Sequence, residues 1–270
     1  MVHVPLATDR RDRILDLLRR QRAVRISELA DDFGVSPMTV RRDIEALEAD
    51  GVVERVHGGA RLPLLHEQAE PEPQQKALLQ PGEKHAIARA AADLVVPGTA
   101  IGIGSGTTTL ELARVLAERE DLDGLTVVTN APAVADVLGG VEAVTVILIG
   151  GVRTISGALV GPIATSGIRQ LNLHTLVIGC HGIDPERGAT APNLLEAEAN
   201  RAFMAQAATT VVLADATKWG VAGLATFAPF DEIDVLVTDD ALADAHVGTL
   251  AEQVERVLLV EPATGSVRRA

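Results

Sequence analysis

The chain has 270 residues, of which 47% are hydrophobic and 23% charged, so it can form two domains and is not disordered by composition. Aromatic residues make up only 2%, which argues against a surface that stacks on single-stranded bases or sugars. The single cysteine, Cys180, excludes an internal disulfide and a Cys-cluster zinc site. Because the sequence shows no signal core and no apolar run of membrane-spanning length, we expect a soluble, cytoplasmic protein with no membrane partner.

The formal net charge of −13 is unevenly distributed. Residues 1–62 contain eleven basic and eleven acidic residues, whereas residues 63–270 contain 13 basic and 26 acidic residues. A neutral, arginine-rich head on an acidic body indicates two separate functions. The lysines of the chain are rare: Lys76, Lys84 and Lys218.

The first 62 residues follow a helical pattern and then a hairpin pattern. Gly34 is a natural C-terminal glycine, Ser36 is a good N-cap, and Pro37 suits a first helical position. The predicted elements are helices over Arg10–Arg20, Ser27–Phe33 and Pro37–Asp50, followed by a short hairpin or wing over Val52–Arg61. The third helix is expected to bury Val40, Ile44 and Leu47. Gly58 and Gly59 are expected to supply positive φ angles in the hairpin.

A short helix, a glycine-containing turn and a helix that begins Ser-Pro-Met-Thr-Val-Arg-Arg form a helix-turn-helix pattern. The first turn of such a second helix enters the major groove, where the hydroxyl groups of Ser36 and Thr39 can contact DNA. Arg41 and Arg42 follow and can bind phosphates or guanine edges. Asp43 is expected to pair with a neighbouring arginine or to cap structure rather than to touch DNA. The alternative is a plain three-helix bundle with solvated arginines.

Residues 63–82 contain four prolines and no regular period, which is typical of a linker or of an arm packed across the second domain. Beyond them, apolar β-branched runs alternate with helical stretches, which predicts a mostly parallel α/β sheet. The predicted strands are Ala100–Ile103, Leu125–Thr129, Val144–Ile149, Thr175–Ile178, Thr210–Ala214, Val235–Thr238 and Val257–Val260. Predicted helices include Lys84–Leu94, Thr108–Ala117 and Glu196–Ala207.

Ligands of parallel sheets bind beyond the carboxyl ends of the strands. There, residues 100–109 read Ala-Ile-Gly-Ile-Gly-Ser-Gly-Thr-Thr-Thr, so N–H groups and hydroxyls at a helix N-terminus can bind an anion. The spacing fits neither a dinucleotide fingerprint nor a Walker A loop, and the alternative is a glycine turn that only permits close packing. The candidate ligand-binding residues are Gly104, Ser105, Gly106, Thr107, Thr108, Asn130, Gly151, Arg153, His181, Asp215 and Lys218.

Lys218 follows a buried strand and can neutralise a phosphate or bind sugar hydroxyls; the alternative is a pair with Asp215 that fixes the loop. Arg153 and Arg187 are further candidate anion partners. Cys180 and His181 are neighbours in the sequence, and adjacent strand residues point to opposite faces. Cys180 is therefore expected to be a buried thiol rather than half of a catalytic dyad. The histidines show no metal-ligand spacing. We therefore assign no metal, no cofactor and no catalytic residue.

The head resembles that of DeoR-family bacterial transcriptional regulators through residues 26–44, Ile-Ser-Glu-Leu-Ala-Asp-Asp-Phe-Gly-Val-Ser-Pro-Met-Thr-Val-Arg-Arg-Asp-Ile, and through Val56-His-Gly-Gly-Ala60. The body resembles the sensor half of the same family, and the two resemblances together cover roughly residues 10 to 262. The matching pieces of the body include Gly104-Ser-Gly-Thr-Thr-Thr109, Thr126-Val-Val-Thr-Asn130, Gly150-Gly-Val-Arg153, Gly182-Ile-Asp-Pro-Glu-Arg-Gly188 and Asp215-Ala-Thr-Lys-Trp-Gly220.

The resemblance implies a winged helix-turn-helix in residues 1–62, a linker over 63–82 and a sensing and oligomerisation domain over 83–270. It implies a sensor fold similar to ribose-5-phosphate isomerase and CoA-transferases, with a phosphorylated sugar or sugar-alcohol derivative as effector. The residues expected to bind double-stranded operator DNA are Ser36, Met38, Thr39, Arg41, Arg42, Arg55 and His57.

The predicted function is therefore that of a sequence-specific transcriptional regulator, a repressor of carbohydrate-metabolism genes that acts as a homodimer or homotetramer. The alternative is a sugar-phosphate isomerase or deaminase with a fused DNA-binding head. Asp184, Glu186 and Asp215 are available as its general base. No paired acid and base stands out among them.

Overall fold

The structure is a computed structural model that describes residues 10–11, 13–15, 17–18, 23–49, 53–56, 58–61 and 78–270. The chain forms two compact units, Met1–Ala69 and Glu70–Ala270. Most of the predicted linker and His57 lie outside the described residues.

The first unit is a winged helix-turn-helix. Its described residues between 10 and 18 are helical, and α1 (Ile26–Phe33) and α2 (Pro37–Ala49) follow. Three short strands form an antiparallel sheet in the order β1-β3-β2: β1 (Ala23–Arg25), β2 (Glu54–Val56) and β3 (Gly59–Arg61). The hairpin β2–β3 lies within the predicted wing, and β1 is a strand that the sequence pattern did not indicate.

Both ends of the turn between the helices follow the prediction. Gly34 ends α1 with φ 63°, and its N–H binds the carbonyl groups of Ala30 and Asp31. Ser36 Oγ accepts a hydrogen bond from Thr39 N at 3.2 Å, as expected of an N-cap. The predicted inward positions of α2 are confirmed, since they belong to the buried core of this unit: Ile14, Leu18, Val24, Leu29, Ala30, Phe33, Val40, Ile44, Leu47, Val53 and Ala60.

The two glycines of the wing differ in their roles. Gly58 has the expected positive φ, 84°. The expectation for Gly59 was wrong: Gly59 is not among the described glycines of positive φ, and a Cβ there would lie 2.0 Å from the Val24 carbonyl oxygen. Gly59 is needed because β1 and β3 approach each other closely.

The second unit contains an eight-stranded sheet in the order β16-β15-β14-β12-β9-β4-β5-β6. All neighbouring pairs from β15 to β6 are parallel, and β16 is antiparallel to β15. The strands of this sheet are β4 (Ala100–Ile103), β5 (Leu125–Thr129), β6 (Val144–Leu148), β9 (Leu173–Gly179), β12 (Ala207–Leu213), β14 (Val235–Asp239), β15 (Arg256–Val260) and β16 (Val267–Arg269).

Helices connect the parallel strands. They are α3 (Pro81–Ala92), α4 (Thr107–Ala117), α5 (Pro132–Leu138), α6 (Pro162–Ile168), α7 (Leu194–Met204) and α8 (Asp244–Gln253). Two smaller sheets accompany them, the hairpin β7 (Val152–Arg153) and β8 (Leu159–Val160), and a three-stranded sheet of β10 (Gly182–Asp184), β11 (Gly188–Ala191) and β13 (Ala225–Ala228). Because Pro81 sits well at a helix start, α3 begins inside the predicted linker.

The main sheet is buried on both faces. Leu176 and Ile178 of β9 belong to one apolar cluster, and Val177 between them belongs to the other. This arrangement explains the continuous apolar runs of the central strands. With both faces covered, the carboxyl ends of the strands are left as the place where polar side chains converge.

Candidate DNA-binding helix and ligand cleft

The outer face of α2 carries most of the predicted DNA-binding residues. Ser36, Met38, Arg41 and Arg42 are exposed, and Thr39 is half-buried. Met38 is 56% exposed, so its side chain is accessible to a binding partner. The structure thus brings these five residues to one surface, with no ion pair to Arg41 or Arg42 from the described part of the chain.

Arg55 of the wing is less available. Its Nη1 lies 2.9 Å from Glu45 Oε1, and its Nε lies 3.6 Å from Glu48 Oε2. Both carboxylates belong to α2, so Arg55 connects the wing to this helix. The positive charge of Arg55 is partly neutralised by these carboxylates in the protein without DNA. The seventh predicted residue, His57, lies outside the described residues.

Asp43 points into the head rather than toward DNA. Its carboxylate accepts from Arg10 Nε at 2.8 Å and from Arg10 Nη2 at 3.2 Å. Both side chains are at least nine-tenths buried. Asp43 thus pairs with an arginine, as expected, and this arginine lies 33 positions away in the sequence.

The second unit contains a cleft of about 490 Å³ at the carboxyl ends of β4, β5, β9 and β12. Eight of the predicted ligand-binding residues line it: Ser105, Gly106, Thr107, Thr108, Arg153, His181, Asp215 and Lys218. The loop after β4 thus faces the loops after β9 and β12 across one cavity.

The N-terminus of α4 points into this cleft. Leu110 N is the first N–H of the helix to bind an internal carbonyl, that of Gly106 at 3.0 Å. The N–H groups of the preceding turn have no acceptor within a helix and carry its positive dipole end. Thr107 and Thr108 add hydroxyl groups at the same place. This arrangement can bind an anion.

Three predicted residues do not belong to the described lining, for packing reasons. A Cβ on Gly104 would lie 2.8 Å from Ile178 Cγ1, and one on Gly151 would lie 2.6 Å from the Val160 carbonyl oxygen. At both positions a neighbouring group approaches the backbone so closely that a side chain would have to displace it. Asn130 is 2% exposed and donates from Nδ2 to the Leu159 carbonyl at 3.0 Å, so it attaches the β7–β8 hairpin to the main sheet.

Several residues that line the cleft were missed by sequence reasoning. They are Lys84 of α3, Glu111 and Arg114 of α4, Ser156 of the hairpin, and Glu196 and Asn200 of α7. The sequence contained a signal for α4. Glu111 lies four residues after Thr107, and Arg114 lies three residues after Glu111, which places the three residues on one helix face. No such pattern identifies the others, which the fold brings together from distant segments.

Glu111 stays ionised through its neighbours. Burial raises its pKa, but hydrogen bonds from His85 (2.8 Å) and Arg114 (2.9 Å) outweigh burial and leave the pKa below its usual range. Lys84, although buried, donates from Nζ to the Leu79 carbonyl. Glu111 therefore contributes an ionised carboxylate to the lining of the cleft, and Lys84 contributes a basic side chain.

The tip of the β7–β8 hairpin is attached to the opposite wall. Ser156 Oγ donates to Glu196 Oε1 at 2.7 Å, and Asn193 Nδ2 donates to the same oxygen at 2.9 Å. Ser105 Oγ donates to the Ser156 carbonyl at 3.4 Å. The hairpin thus reaches across the cleft from α4 to α7.

The loop that carries Lys218 is held by two buried aspartates. Asp215 accepts from Thr217 N at 3.1 Å, and Asp239 accepts from Ala216 N at 2.7 Å. No carboxylate of the described residues lies within ion-pair distance of Lys218, so the alternative of an Asp215–Lys218 pair finds no support. Burial raises the pKa of Asp239, the nearby Asp215 adds to this effect, and backbone N–H groups oppose it.

Comparison with known proteins identifies both halves of the chain. The DeoR-like helix-turn-helix domain matches residues 10–64, and the DeoR C-terminal sensor domain matches residues 79–240. The chain belongs to the DeoR family. A similar relative, the HTH-type transcriptional regulator GlpR of Haloferax volcanii, is 34% identical over 88% of this chain and 91% of its own.

Two further proteins resemble this DeoR-family chain to different degrees. The lactose phosphotransferase system repressor of Lactococcus lactis is 32% identical over 88% of this chain and 93% of its own. Ribose 5-phosphate isomerase A of Methanocaldococcus jannaschii is a distant structural neighbour, with 17% identity over 50% of this chain and 53% of its own, and a TM-score of 0.38.

The cleft of this DeoR-family chain is richer in positive charge than the domain around it. Four cationic side chains line it: Lys84, Arg114, Arg153 and Lys218. Three carboxylates oppose them: Glu111, Glu196 and Asp215. The surrounding residues 63–270 contain twice as many acidic as basic residues, so the cleft is a local exception that favours an anion.

Among the acids considered for catalysis, only Asp215 lines the cleft. Asp184 Oδ1 accepts from Glu186 N and Arg187 N at 2.9 and 3.1 Å, so its carboxylate stabilises the turn between β10 and β11. Arg187 is exposed and does not belong to the described lining. In the described part of the chain, no three side chains of His, Cys, Asp or Glu are grouped as metal ligands, and none of its helices is long and apolar enough to span a membrane.

Proposed function

We propose that this protein represses carbohydrate-metabolism genes by binding operator DNA through α2 and the wing, as a homodimer or homotetramer. We further propose that a phosphorylated sugar or sugar-alcohol derivative binds the cleft and controls operator binding. The observation that carries the proposal is the cleft, where a helix N-terminus and four cationic side chains meet in an otherwise acidic domain.

The chemistry of the lining supports an effector with two parts. The phosphate would bind the N–H groups and hydroxyls of Ser105–Thr108, with Lys218 or Arg153 as counter-charge. The sugar hydroxyls would bind carboxylate and amide groups such as Glu196 and Asn200, since both line the same cavity. The name of the Lactococcus relative, a repressor of a lactose phosphotransferase system, is in keeping with this class of ligand.

The test is fluorescence anisotropy of a labelled DNA fragment from upstream of the gene, titrated with the full chain at fixed salt. We expect binding that is tighter than binding to random DNA and that one compound of a sugar-phosphate panel releases. Binding that resists every compound would contradict the effector assignment. Binding no tighter than to random DNA would contradict the operator assignment for that fragment.

Two variants assign the roles separately. Arg41→Ala should weaken operator binding by about 1–3 kcal/mol if Arg41 contacts a base, with the response to effector unchanged. Lys218→Gln should leave operator affinity unchanged and raise the effector concentration needed for release by about tenfold or more. Arg187→Gln, an exposed site outside the described lining, is the matched control and should change neither quantity.

The enzyme alternative has a direct test as well. The pure protein would be incubated with ribose 5-phosphate or glucosamine 6-phosphate, and we expect no turnover, because Asp184 and Glu186, the other acids considered for catalysis, do not line the cleft with Asp215. Turnover that disappears in Asp215→Asn would contradict the proposal.

A further inference from the structure

A long stretch of the sensor domain is almost uncharged. Between residues 143 and 168 the single charged residue is Arg153, whereas 23% of the whole chain is charged. The stretch contains β6, the β7–β8 hairpin and α6. Arg153 lines the ligand cleft, and every other residue of this stretch is without formal charge.

The same stretch exposes large apolar side chains. We name them the apolar strip, and they are Ile147, Leu148, Val152, Ile155 and Ile163. Their exposed fractions range from 39% for Ile147 to 72% for Ile163. Single exposed apolar residues are common, but several of them within one uncharged segment are typical of a protein interface.

The strip also contains an unprotected sheet edge. β6 is the last strand of the eight-stranded sheet, and its residues include no charged side chain and no proline. The opposite edge strand, β16, carries Arg268 and Arg269, which is a usual protection against pairing with another chain. The two edges of one sheet therefore differ in the way expected if β6 meets a partner and β16 does not.

We propose that the apolar strip is the surface through which a second copy of this chain binds, about a two-fold axis that brings the two β6 edges together. Charge argues for this partner. The chain has a net charge of −13, so two copies repel each other except where their surfaces are uncharged. A basic partner would bind the acidic surface instead, anionic DNA has no apolar surface to offer, and an anionic lipid surface would repel a chain of net charge −13.

A symmetric contact also suits the strip itself. In a two-fold interface the same patch serves both subunits, so the patch has to be self-complementary. An apolar strip meets this condition, whereas a patch of one charge does not. The choice of a second copy draws additional support from the proposed function, because paired operator half-sites are read by paired heads.

The experiment is sedimentation velocity of the full chain without DNA, from nanomolar to micromolar concentration. We expect the wild type to form at least a dimer. Leu148→Glu and Ile155→Glu should each raise the dissociation constant by about 30-fold or more, because each would bury a charge in the contact. Ile163→Glu, on a different element of the strip, should act in the same direction.

The matched control is Val96→Glu, since Val96 is 47% exposed, the same fraction as Leu148, and lies outside the strip. Val267→Glu on β16 controls for edge strands in general. A monomeric wild type, strip variants that associate like the wild type, or control variants that dissociate as strongly would each overturn the proposal.

Folding and the proposed function are checked separately. Far-UV circular dichroism of each variant is compared with that of the wild type. If a glutamate variant has lost its fold, the milder variants Ile155→Ser and Leu148→Ser replace it in the sedimentation experiment. Operator affinity is measured by anisotropy on the same samples. If the strip variants dissociate, the inference is supported even when no operator fragment binds. If the wild type is monomeric and still binds the operator, the inference is overturned but the proposed DNA-binding function is not.

Discussion

Arg10 and Asp43 form a buried ion pair between the first helical segment and the recognition helix α2. Replacing Asp43 with Ala leaves the Arg10 guanidinium without this carboxylate in the interior of a small domain. The cost of breaking such a pair from one side is about 3–5 kcal/mol, which is most of the stability that a domain of this size has. We expect denaturant unfolding to show the loss for Asp43→Ala, in the transition of the head.

The matched control for that experiment is an exposed pair in the same unit. Glu28 Oε1 lies 3.9 Å from Arg25 Nη1, and both side chains are more than half exposed. Glu28→Ala should cost less than about 1 kcal/mol. A similar small cost for Asp43→Ala would contradict a structural role for the buried pair.

Asp239 gives the sensor domain a pH dependence of a definite sign. Burial raises the pKa of its carboxyl group, and the negative charge of Asp215 adds to the effect. As pH rises, the unfolded chain loses this proton first, so the free energy of unfolding decreases from the usual aspartate range up to the raised pKa and is constant above it. We expect Asp239→Asn to reduce this decrease in urea titrations at a series of pH values. An unchanged pH profile would contradict the assignment to Asp239.

Elements with strong sequence signals were predicted well, and those formed by pairing were not. The central strands carry long β-branched runs because both faces of the sheet are covered, and all seven predicted runs are strands. Hairpins such as β7–β8, with two residues in each strand, are too short for periodicity to show. β1 is found only through its pairing with β3, which lies more than 30 residues away.

The residues of the cleft also divide into those with a sequence signal and those without one. Ser105, Thr107 and Lys218 could be predicted because they follow buried strands, and the carboxyl ends of parallel strands meet at one edge. Lys84 and Glu196 could not, since α3 and α7 bring them to the cavity from segments with no ligand-binding pattern of their own. Gly151 lies against Val160 and not in the lining of the cleft. Close packing and ligand contact both require glycine, and sequence does not distinguish them.

Gly59 provides a prediction about the small sheet of the head. Gly59→Ala would place a Cβ 2.0 Å from the Val24 carbonyl oxygen, so β1 has to separate from β3. We expect a loss of about 3 kcal/mol, at the upper end of overpacking costs, because backbone has to move. Thermal unfolding followed by circular dichroism measures the effect.

Gly58→Ala is the matched control one position away. Gly58 has positive φ but no atom within 4 Å of its virtual Cβ, so only the left-handed backbone conformation is penalised, at about 1 kcal/mol. If Gly58→Ala were the more damaging of the two, backbone conformation rather than the β1–β3 contact would limit this sheet.

At the scale of the whole molecule, the ligand cleft and the apolar strip share one element. The β7–β8 hairpin carries Arg153 and Ser156 on the cleft, and exposes Val152 and Ile155 on the strip. A ligand that contacts Arg153 therefore contacts the element that we assign to self-association. By linkage, a ligand with different affinities for the monomer and the dimer has to change the dimer dissociation constant.

This linkage gives the last prediction. The sugar phosphate that releases operator DNA should change the dissociation constant of the DNA-free dimer by about 5–150-fold, the usual range of coupling between sites. Because a dimer contains two clefts, reciprocity requires this factor to be the square of the ratio between the compound's affinity per cleft for the wild-type dimer and for the monomeric Ile155→Glu variant. Sedimentation with and without the compound gives the first factor, and calorimetric titration of both proteins gives the second. If the dimer dissociation constant is the same with and without the compound, the effector acts on the DNA-binding heads by a route that does not involve this interface.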